Sequence, residues 1–177
     1  MTLDYKTTLK KILDEDQSMI MSNKNDPEKF IQLNKKHLKI IDEILKEIRE
    51  PRISILGHNG ALTVWIIVQH ADHDPGLQKY YLRLFKKLYE KDPDDTYKEG
   101  IAYLEDRILI KEKGQQLYGT QFKVSALSKN TLEPYPILNH LSLEKRRKKM
   151  GLLPMNDYIK ELKQIYGKEV IYSDKWS

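Results

Sequence analysis

The sequence predicts a mainly α-helical protein that forms one domain over residues 1–177, a helical bundle with an irregular or extended segment near residues 115–141. Apolar side chains recur at helical spacing in several long segments. One segment is apolar on nearly every side, and proline and glycine residues mark the boundaries between segments. A chain of 177 residues is near the usual size of one domain and can bury a core without disulfides or bound metal.

The first two helices are predicted from apolar stripes and from the cap that separates them. A first helix is expected from about Thr2 to about Met21, because leucine and isoleucine recur at helical spacing. Asp26 as N-cap and Pro27 at the first helical position predict the start of a second helix, which Pro51 is expected to stop. One apolar stripe along the second helix predicts that this helix faces the core.

The third helix is expected to lie at the centre of the fold. Residues 53–60, which include two glycines, are predicted to form a connector that turns tightly. Residues 61–71 follow without a polar face, and a length of about eleven residues favours a helix over a strand. We therefore expect helices two, three and five to form the packed centre, with Trp65 and Ile66 buried.

The fourth and fifth helices are predicted from their ends. Asp74 and Pro75 supply an N-cap and a first helical position for a fourth helix, which is expected to end just before a turn at residues 92–95. The fifth helix is expected over about residues 96–113, where Gly114 is well placed to end it.

The C-terminal part of the chain is predicted to be less regular. Residues 115–122 are expected to be extended, and residues 125–141, which hold two prolines, are expected to form an irregular loop. Ser142 is expected to cap a short basic helix, and Pro154 is expected to open a last helix that reaches about Tyr166.

The composition excludes several classes of protein. The chain has no cysteine, which excludes a disulfide scaffold, a thiolate zinc site, an iron–sulfur cluster and a cysteine nucleophile. No apolar stretch approaches the length of a membrane span, and the N-terminal residues lack the continuous apolar segment of a signal peptide. We therefore expect a cytoplasmic protein with no membrane partner.

The positive charge of the chain is mostly spread along it. The formal net charge of +5 comes from 31 basic and 26 acidic residues, a mixture typical of solvated helix faces. Residues 145–149 form a basic run, but no aromatic residue lies within it. The basic run is therefore predicted to be a solvated helix end with at most one arginine turned inward, and no nucleic-acid partner is expected.

Polar residues follow the buried third helix directly. Gln69, His70, Asp72 and His73 precede the Asp74 cap, and their directions span roughly 160° of one helical turn. Burying a carboxylate and two imidazoles is costly unless they are paired or open to a cleft, so this end of the helix is expected to reach partners or water. An ordinary solvent-exposed helix exit explains the same pattern.

The fifth helix carries a carboxylate in apolar company. Asp106 lies at an angular position shared with alanine, tyrosine, leucine and isoleucine side chains of the predicted helix. It is expected either to project into a cleft or to pair with a cation, for which Arg107, the histidines and the basic run are candidates. A buried structural ion pair is the alternative.

A third polar group lies in the segment after the fifth helix. Gln116, Tyr118, Thr120 and Gln121 place amide, phenol and hydroxyl groups in one short stretch. Gly119 among them allows a close approach of the backbone to another segment or to a ligand. Such groups are suited to orient a polar small molecule, although a hydrogen-bonded strand edge has the same composition.

Several stretches of the chain occur in an order typical of one family. They are Trp65, residues 69–72 (QHAD), Gln78, residues 102–107 (AYLEDR), residues 116–122 (QLYGTQF), Pro136 and residues 146–152 (RRKKMGL). On these motifs the chain resembles the bacterial DUF6624 family over about residues 53–158, and Asp16-Gln17 fits its N-terminal part. The family has a GWP-like connector where this chain has Glu50-Pro51-Arg52. The function of the family is unknown, so the resemblance implies a candidate site and no reaction.

The leading hypothesis is a small-molecule enzyme of hydrolase or transferase type that uses acid–base chemistry. His70 is the expected proton acceptor or donor, because histidine exchanges protons near neutral pH. Asp72 or Asp106 would orient it, and Arg107 or Arg147 would hold an anionic group of a polar substrate. The residues expected to orient the substrate are Gln69, Gln116, Tyr118, Thr120 and Gln121.

Two hypotheses from other classes stay open. A metal-binding protein has suitable donors in His70, Asp72, His73 and Asp106, but the zinc pattern of two histidines four residues apart with a glutamate between them is absent. A non-catalytic binding or immunity-like module would use the polar residues as a structural network. The sequence predicts no particular cofactor and no oligomeric state.

The three polar groups are expected to meet. Each of them lies in an otherwise apolar neighbourhood that cannot satisfy it locally, and bringing them together offsets three desolvation costs at once. We therefore expect His70, Asp106 and residues 118–121 to converge on one cleft.

Overall fold

The computed structural model describes residues 4–22 and 26–172. It confirms the predicted fold class, because the described residues are mainly α-helical and carry one small three-stranded sheet. The chain divides into two compact units, a first unit up to Gly100 and a second unit from Ile101 onward. The prediction of one domain over residues 1–177 stays a prediction.

The regular elements account for most of the described chain. The α-helices are α1 (Tyr5–Ser22), α2 (Pro27–Ile48), α3 (Ile53–Gln69), α4 (Pro75–Lys91), α5 (Lys98–Lys113), α6 (Leu143–Lys149) and α7 (Met155–Tyr166). The strands are β1 (Phe122–Ser125), β2 (Ser128–Pro134) and β3 (Glu169–Val170). Within residues 4–22 and 26–172 no helix is long and apolar enough to cross a membrane.

Several helix ends lie where capping signals predict them. The Asp26 carboxylate accepts the backbone N–H of Lys29 at 3.1 Å, and the Asp74 carboxylate accepts that of Leu77 at 2.9 Å. Both aspartates therefore satisfy an N–H group that the first turn of α2 or α4 leaves without an intrahelical partner. The predicted start of the first helix at residue 2 lies outside the described residues.

In the first unit α3 is the central helix and contacts α1, α2 and α4. The core side chains are Leu9, Ile12, Ile41, Ile44, Val64, Ile67 and Leu88. Trp65 and Ile66 are half-buried, contrary to the prediction that both are buried. The reason at Trp65 is its polar edge, because the indole N–H donates to the Gly100 carbonyl at 2.7 Å and the ring stays at the margin of the core.

The predicted connector at residues 53–60 is wrong, because these residues are helical and form the start of α3. The helix is interrupted at one residue, Gly57, whose backbone angles are φ 74° and ψ 166°. Glycine adopts such angles without the steric cost that a side chain brings. Leu56 is buried just before the interruption, and helical geometry is what turns its side chain into the core.

The predicted loop at residues 125–141 is wrong in its first half. β1 and β2 pair as an antiparallel hairpin in which Val124 lies opposite Leu132, and β3 pairs in parallel with β2. The proline of β2 is its last residue, so its missing N–H interrupts no hydrogen bond further along the strand. The stretch before β1 joins the loop after β2 through a bridge from Gln116 to Ile137.

At two glycines of the first unit, an added methyl group is expected to have opposite effects on the free energy of unfolding. A Cβ at Gly100 would lie 2.6 Å from Cδ1 of Trp65 and 2.6 Å from Cδ1 of Tyr97. We expect Gly100→Ala to lower the free energy of unfolding by about 1–3 kcal/mol, because the methyl group overpacks this contact.

The matched control for Gly100→Ala is Gly76→Ala in α4. A Cβ at Gly76 meets the Asp74 carboxylate at 3.4 Å, which is an ordinary contact. Alanine is the better helix former, so this change is expected to raise the free energy of unfolding by up to about 1 kcal/mol. Urea unfolding measures both variants, and a loss of similar size in the two would contradict the packing argument.

Candidate functional site

His70 follows the last residue of α3 and pairs with a buried carboxylate. Its Nδ1 lies 3.1 Å from Oδ1 of Asp16. The Asp16 side chain is 1% exposed and the His70 side chain is 19% exposed. Because an ionised carboxylate only accepts hydrogen bonds, this contact assigns the proton to Nδ1 and leaves Nε2 as the basic nitrogen.

The surroundings of the imidazole hold it in one orientation. The Phe30 ring packs edge-on against it, with 5.5 Å between ring centroids. Within residues 4–22 and 26–172, the His70 side chain makes one hydrogen bond, which is the contact with Asp16. A carboxylate that fixes the tautomer and direction of a partly exposed imidazole is the arrangement used in general acid–base catalysis.

Side chains from α2 and α4 cap the C-terminal end of α3. The last carbonyls of a helix lack intrahelical N–H partners. Asn34 Nδ2 donates to the Ile67 carbonyl at 2.9 Å, and Gln78 Nε2 donates to the Gln69 carbonyl at 2.9 Å. These two amides fix the last turn of α3, and therefore fix the position from which His70 extends.

The other predicted residues of this cluster do not contact the imidazole. Asp72 is exposed, and its Oδ1 accepts a hydrogen bond from Gln78 at 3.3 Å. Gln69 Oε1 and His73 Nδ1 are buried and have no hydrogen-bond partner within the described residues. The carboxylate that contacts the His70 side chain in the first unit is therefore Asp16, and the predicted orienting role of Asp72 or Asp106 stays a prediction.

In the second unit Asp106 is fully buried and holds a turn of the backbone. Oδ1 accepts the N–H of Leu117 at 2.6 Å and that of Tyr118 at 3.0 Å. Oδ2 accepts both the N–H of Thr120 at 3.0 Å and its hydroxyl at 2.9 Å. Burial raises the pKa of Asp106, and the hydrogen bonds oppose this rise. Gly119 has φ 67°, which lets the chain curl around the carboxylate.

Two arginines of the basic run bind the same turn from its carbonyl side. Arg147 is 1% exposed, and it donates from Nε to the Leu153 carbonyl at 2.7 Å and from Nη1 to the Tyr118 carbonyl at 2.6 Å. Its guanidinium lies 4.9 Å from the centroid of the Tyr158 ring. Burial lowers the pKa of Arg147. Nε and Nη1 of Arg147 therefore bind backbone carbonyls, and its predicted role in holding an anionic group stays a prediction.

The prediction of at most one inward arginine is wrong. Arg146 is partly buried, and it donates to the carbonyls of Leu117 at 2.8 Å, Leu138 at 2.7 Å and Asn139 at 2.9 Å. The physical reason is that the loops after the fifth helix and after β2 present carbonyl groups to which a guanidinium can donate several hydrogen bonds at once. The hydroxyl of Ser142 makes no capping bond to α6, although Ser142 directly precedes that helix as predicted.

Most of the remaining predicted residues lie around the same turn. Gln116 Nε2 donates to the carbonyls of Gln121 at 3.0 Å and Tyr135 at 2.9 Å, and its Oε1 accepts the N–H of Gln121. The Tyr118 hydroxyl donates to the Glu105 carboxylate at 3.3 Å, and burial raises the pKa of Tyr118. Arg107 is half-buried on α5. Apart from Arg107, whose predicted role stays a prediction, the structure thus brings together the predicted residues of the second unit: Asp106, Gln116, Tyr118, Thr120, Gln121 and Arg147.

The predicted convergence with the first unit stays a prediction. His70 belongs to the first unit and Asp106 to the second. In the first unit the polar side chains contact the end of α3, and in the second unit they contact the turn at residues 116–121.

Four polar residues of α1 and α2 that carried no predicted role make side-chain contacts in the first unit. They are Glu15, Asp16, Asn34 and His37. His37 is fully buried, and its Nε2 lies 3.0 Å from the Glu15 carboxylate, a contact that lowers the pKa of Glu15. Angular position is the signal that identifies the buried ones. Asp16 follows the buried Leu9 and Ile12 along one face of α1. Asn34 and His37 lie on the apolar stripe of α2.

The metal-binding hypothesis finds no preformed cluster. No group of three or more histidine, aspartate or glutamate side chains that could hold an ion occurs in the part of the chain that the structure describes. The geometry at His70 offers one free imidazole nitrogen beside a carboxylate that is already hydrogen-bonded.

Comparison with curated proteins and with solved structures gives no match. The model of one family does match, over residues 29–171. The matched range contains His70, Asp106 and the turn at residues 116–121, whereas Asp16 precedes it. The matched range is well over half of the chain and confirms the resemblance seen in the sequence. The chain belongs to DUF6624, a family of unknown function.

Proposed function

We propose that this protein is a small-molecule enzyme in which His70 is the general acid–base and Asp16 orients it. The supporting observation is the 3.1 Å contact between His70 Nδ1 and the Asp16 carboxylate. The carboxylate is buried and the imidazole keeps access to solvent, so one end of the pair is fixed and the other is available to a substrate.

The chemistry follows from the assigned tautomer. With its Nδ1 proton held by Asp16, His70 offers the Nε2 lone pair to a water or hydroxyl proton of the reacting molecules. The imidazolium that forms is stabilised by the carboxylate, and Nε2 then returns the proton to the leaving group. Hydrolysis or group transfer on a polar small molecule is the reaction class that such a pair serves.

A second candidate function is a non-catalytic binding module with a structural polar network. The observation in its favour comes from the second unit. Four of its polar side chains make hydrogen bonds to backbone atoms of that unit, namely those of Asp106, Gln116, Arg146 and Arg147. Under this alternative His70 and Asp16 are a further structural pair, and removing either changes stability alone.

The first test of the enzyme proposal needs no substrate. Nitrogen chemical shifts of the histidine rings report which nitrogen carries the proton. We expect His70 to be protonated at Nδ1 in the neutral ring of the native protein, and we expect this preference to disappear in Asp16→Ala. A neutral His70 ring protonated at Nε2 in the native protein would contradict the role assigned to Asp16.

The second test is an activity screen against p-nitrophenyl esters and p-nitrophenyl phosphates. We expect His70→Ala to lower kcat/KM by about 100-fold or more for any substrate that the native protein turns over, because a general base is lost. His140→Ala, which removes an imidazole of the second unit that contacts Tyr172, is the control and should keep native kcat/KM. A stability loss of roughly 1–3 kcal/mol in His70→Ala with unchanged kcat/KM would favour the structural network.

A further inference from the structure

A cavity of about 540 Å³ opens between α1 and the first half of α3. Lysine and aspartate side chains of α1 line one wall, and the interrupted part of α3 lines the other. The polar residues of the lining are Lys6, Lys10, Asp14, His58, Asn59 and Thr63. None of these residues takes part in the proposed acid–base pair. His58 precedes His70 by twelve positions and Thr63 precedes it by seven, which are roughly 18 Å and 10 Å along a helix, so the cavity lies toward the start of α3 whereas His70 follows its end.

Two lysines of the cavity have exposed side chains. Lys6 and Lys10 lie one helical turn apart and line the same space. Neither forms an ion pair within residues 4–22 and 26–172, whereas Lys11 on the same helix lies 3.9 Å from the Glu15 carboxylate. Like charges four residues apart on a helix repel each other, and an anion between them removes that repulsion.

The opposite wall adds backbone donors. The interruption at Gly57 makes His58 the first residue of a new helical stretch, and the residues from Gly57 to Gly60 line the cavity. The first N–H groups of a helical stretch lack intrahelical acceptors and carry partial positive charge. This wall therefore supports an anion between the two lysines, and the enclosed space gives it room.

The same lining favours a ligand of low negative charge. Asp14 is the carboxylate of the cavity, lies four residues after Lys10 on α1, and repels every negative charge of a ligand. Leu13 and Leu56 give the wall an apolar part. We infer that this cavity binds a small organic anion through a single phosphate or carboxylate group held between Lys6 and Lys10.

The experiment uses the full chain and two probes of each anionic chemistry. Inorganic phosphate and phenyl phosphate represent phosphates, and acetate and benzoate represent carboxylates. Each is titrated while the amide resonances of the protein are followed, with chloride adjusted to keep the ionic strength constant. We expect saturable shifts centred on residues 57–60 with at least one of the two chemistries, and a lower apparent Kd for the probe that carries a phenyl ring.

The variant Lys6→Ala/Lys10→Ala is expected to raise that apparent Kd at least tenfold. Both side chains are exposed, so the fold is expected to persist, and circular dichroism checks this. The matched control is Lys87→Ala/Lys91→Ala, which removes two exposed lysines at the same spacing on α4 that do not line this cavity, and it should keep the native Kd.

Three outcomes would overturn the inference. They are the absence of any saturable shift at residues 57–60 with all four probes, an unchanged Kd in Lys6→Ala/Lys10→Ala, and an equal loss of affinity in the Lys87→Ala/Lys91→Ala control. The last outcome would show that net charge, rather than the cavity, attracts the anion. Because these measurements use binding and not turnover, they are independent of the proposed activity of His70.

Discussion

Replacing Asp106 with alanine is expected to lower the free energy of unfolding by about 3–4 kcal/mol. The carboxylate accepts the N–H groups of Leu117, Tyr118 and Thr120, together with the Thr120 hydroxyl. Alanine leaves these donors without an acceptor in a buried turn, and each unsatisfied buried donor costs about 1–3 kcal/mol, partly recovered as the turn relaxes. Denaturant unfolding of the full-length Asp106→Ala variant measures the change in the free energy of unfolding.

Two further variants decide whether this effect belongs to the hydrogen bonds of Asp106. Asp106→Asn keeps one acceptor oxygen and should lose roughly half as much as Asp106→Ala. Asp157→Ala removes an exposed carboxylate that contacts Lys160, and should change the free energy of unfolding by less than about 0.5 kcal/mol. Native stability in Asp106→Ala would show that the turn does not depend on the carboxylate.

Replacing Arg147 with alanine is expected to have an effect of similar size, a loss of about 3–4 kcal/mol. The buried guanidinium donates to the carbonyls of Tyr118 and Leu153, and it packs on the Tyr158 ring. Alanine leaves both carbonyls unpaired and opens a cavity beside the ring. The measurement is again denaturant unfolding, with the slope of the transition compared between variants.

The adjacent residue supplies the control for Arg147. Lys148 is exposed, so Lys148→Ala removes the same charge from the same helix and should cost less than about 0.5 kcal/mol. Arg147→Met keeps most of the buried volume but none of the donors, and is expected to lie between the two at about 1–3 kcal/mol. Equal losses in Lys148→Ala and Arg147→Ala would mean that the charge of the basic run, and not the carbonyl contacts of Arg147, stabilises the second unit.

The two effects have a common origin in the turn at residues 116–121. Asp106 binds its N–H groups and the two arginines bind its carbonyls, so the backbone of the turn is satisfied from both sides. A turn held in this way is rigid, and it presents the side chains of Tyr118 and Gln121 from a fixed backbone. Rigid support of this kind is equally suited to a structural motif and to a binding surface.

The sequence identified the polar groups of the candidate site better than it identified their partners. Gln69, His70 and Asp106 were recognisable because each interrupts an apolar pattern. Their contacts were not recognisable, since the contact of His70 with Asp16 joins residues 54 positions apart on different helices. Angular position on α1 marks Asp16 as facing the core, but it does not say which helix lies opposite.

The sequence by itself determined the helices of this protein and several of their ends, because periodicity and capping act over a few residues. The aspartate and proline pairs before α2 and α4 place those starts without reference to the rest of the chain. Tertiary structure alone decided that residues 53–60 are helical, that Arg146 and Arg147 both turn inward, and that Asp16 is the partner of His70. These outcomes depend on which faces meet and which buried polar groups then satisfy each other, and that information is not local in the chain.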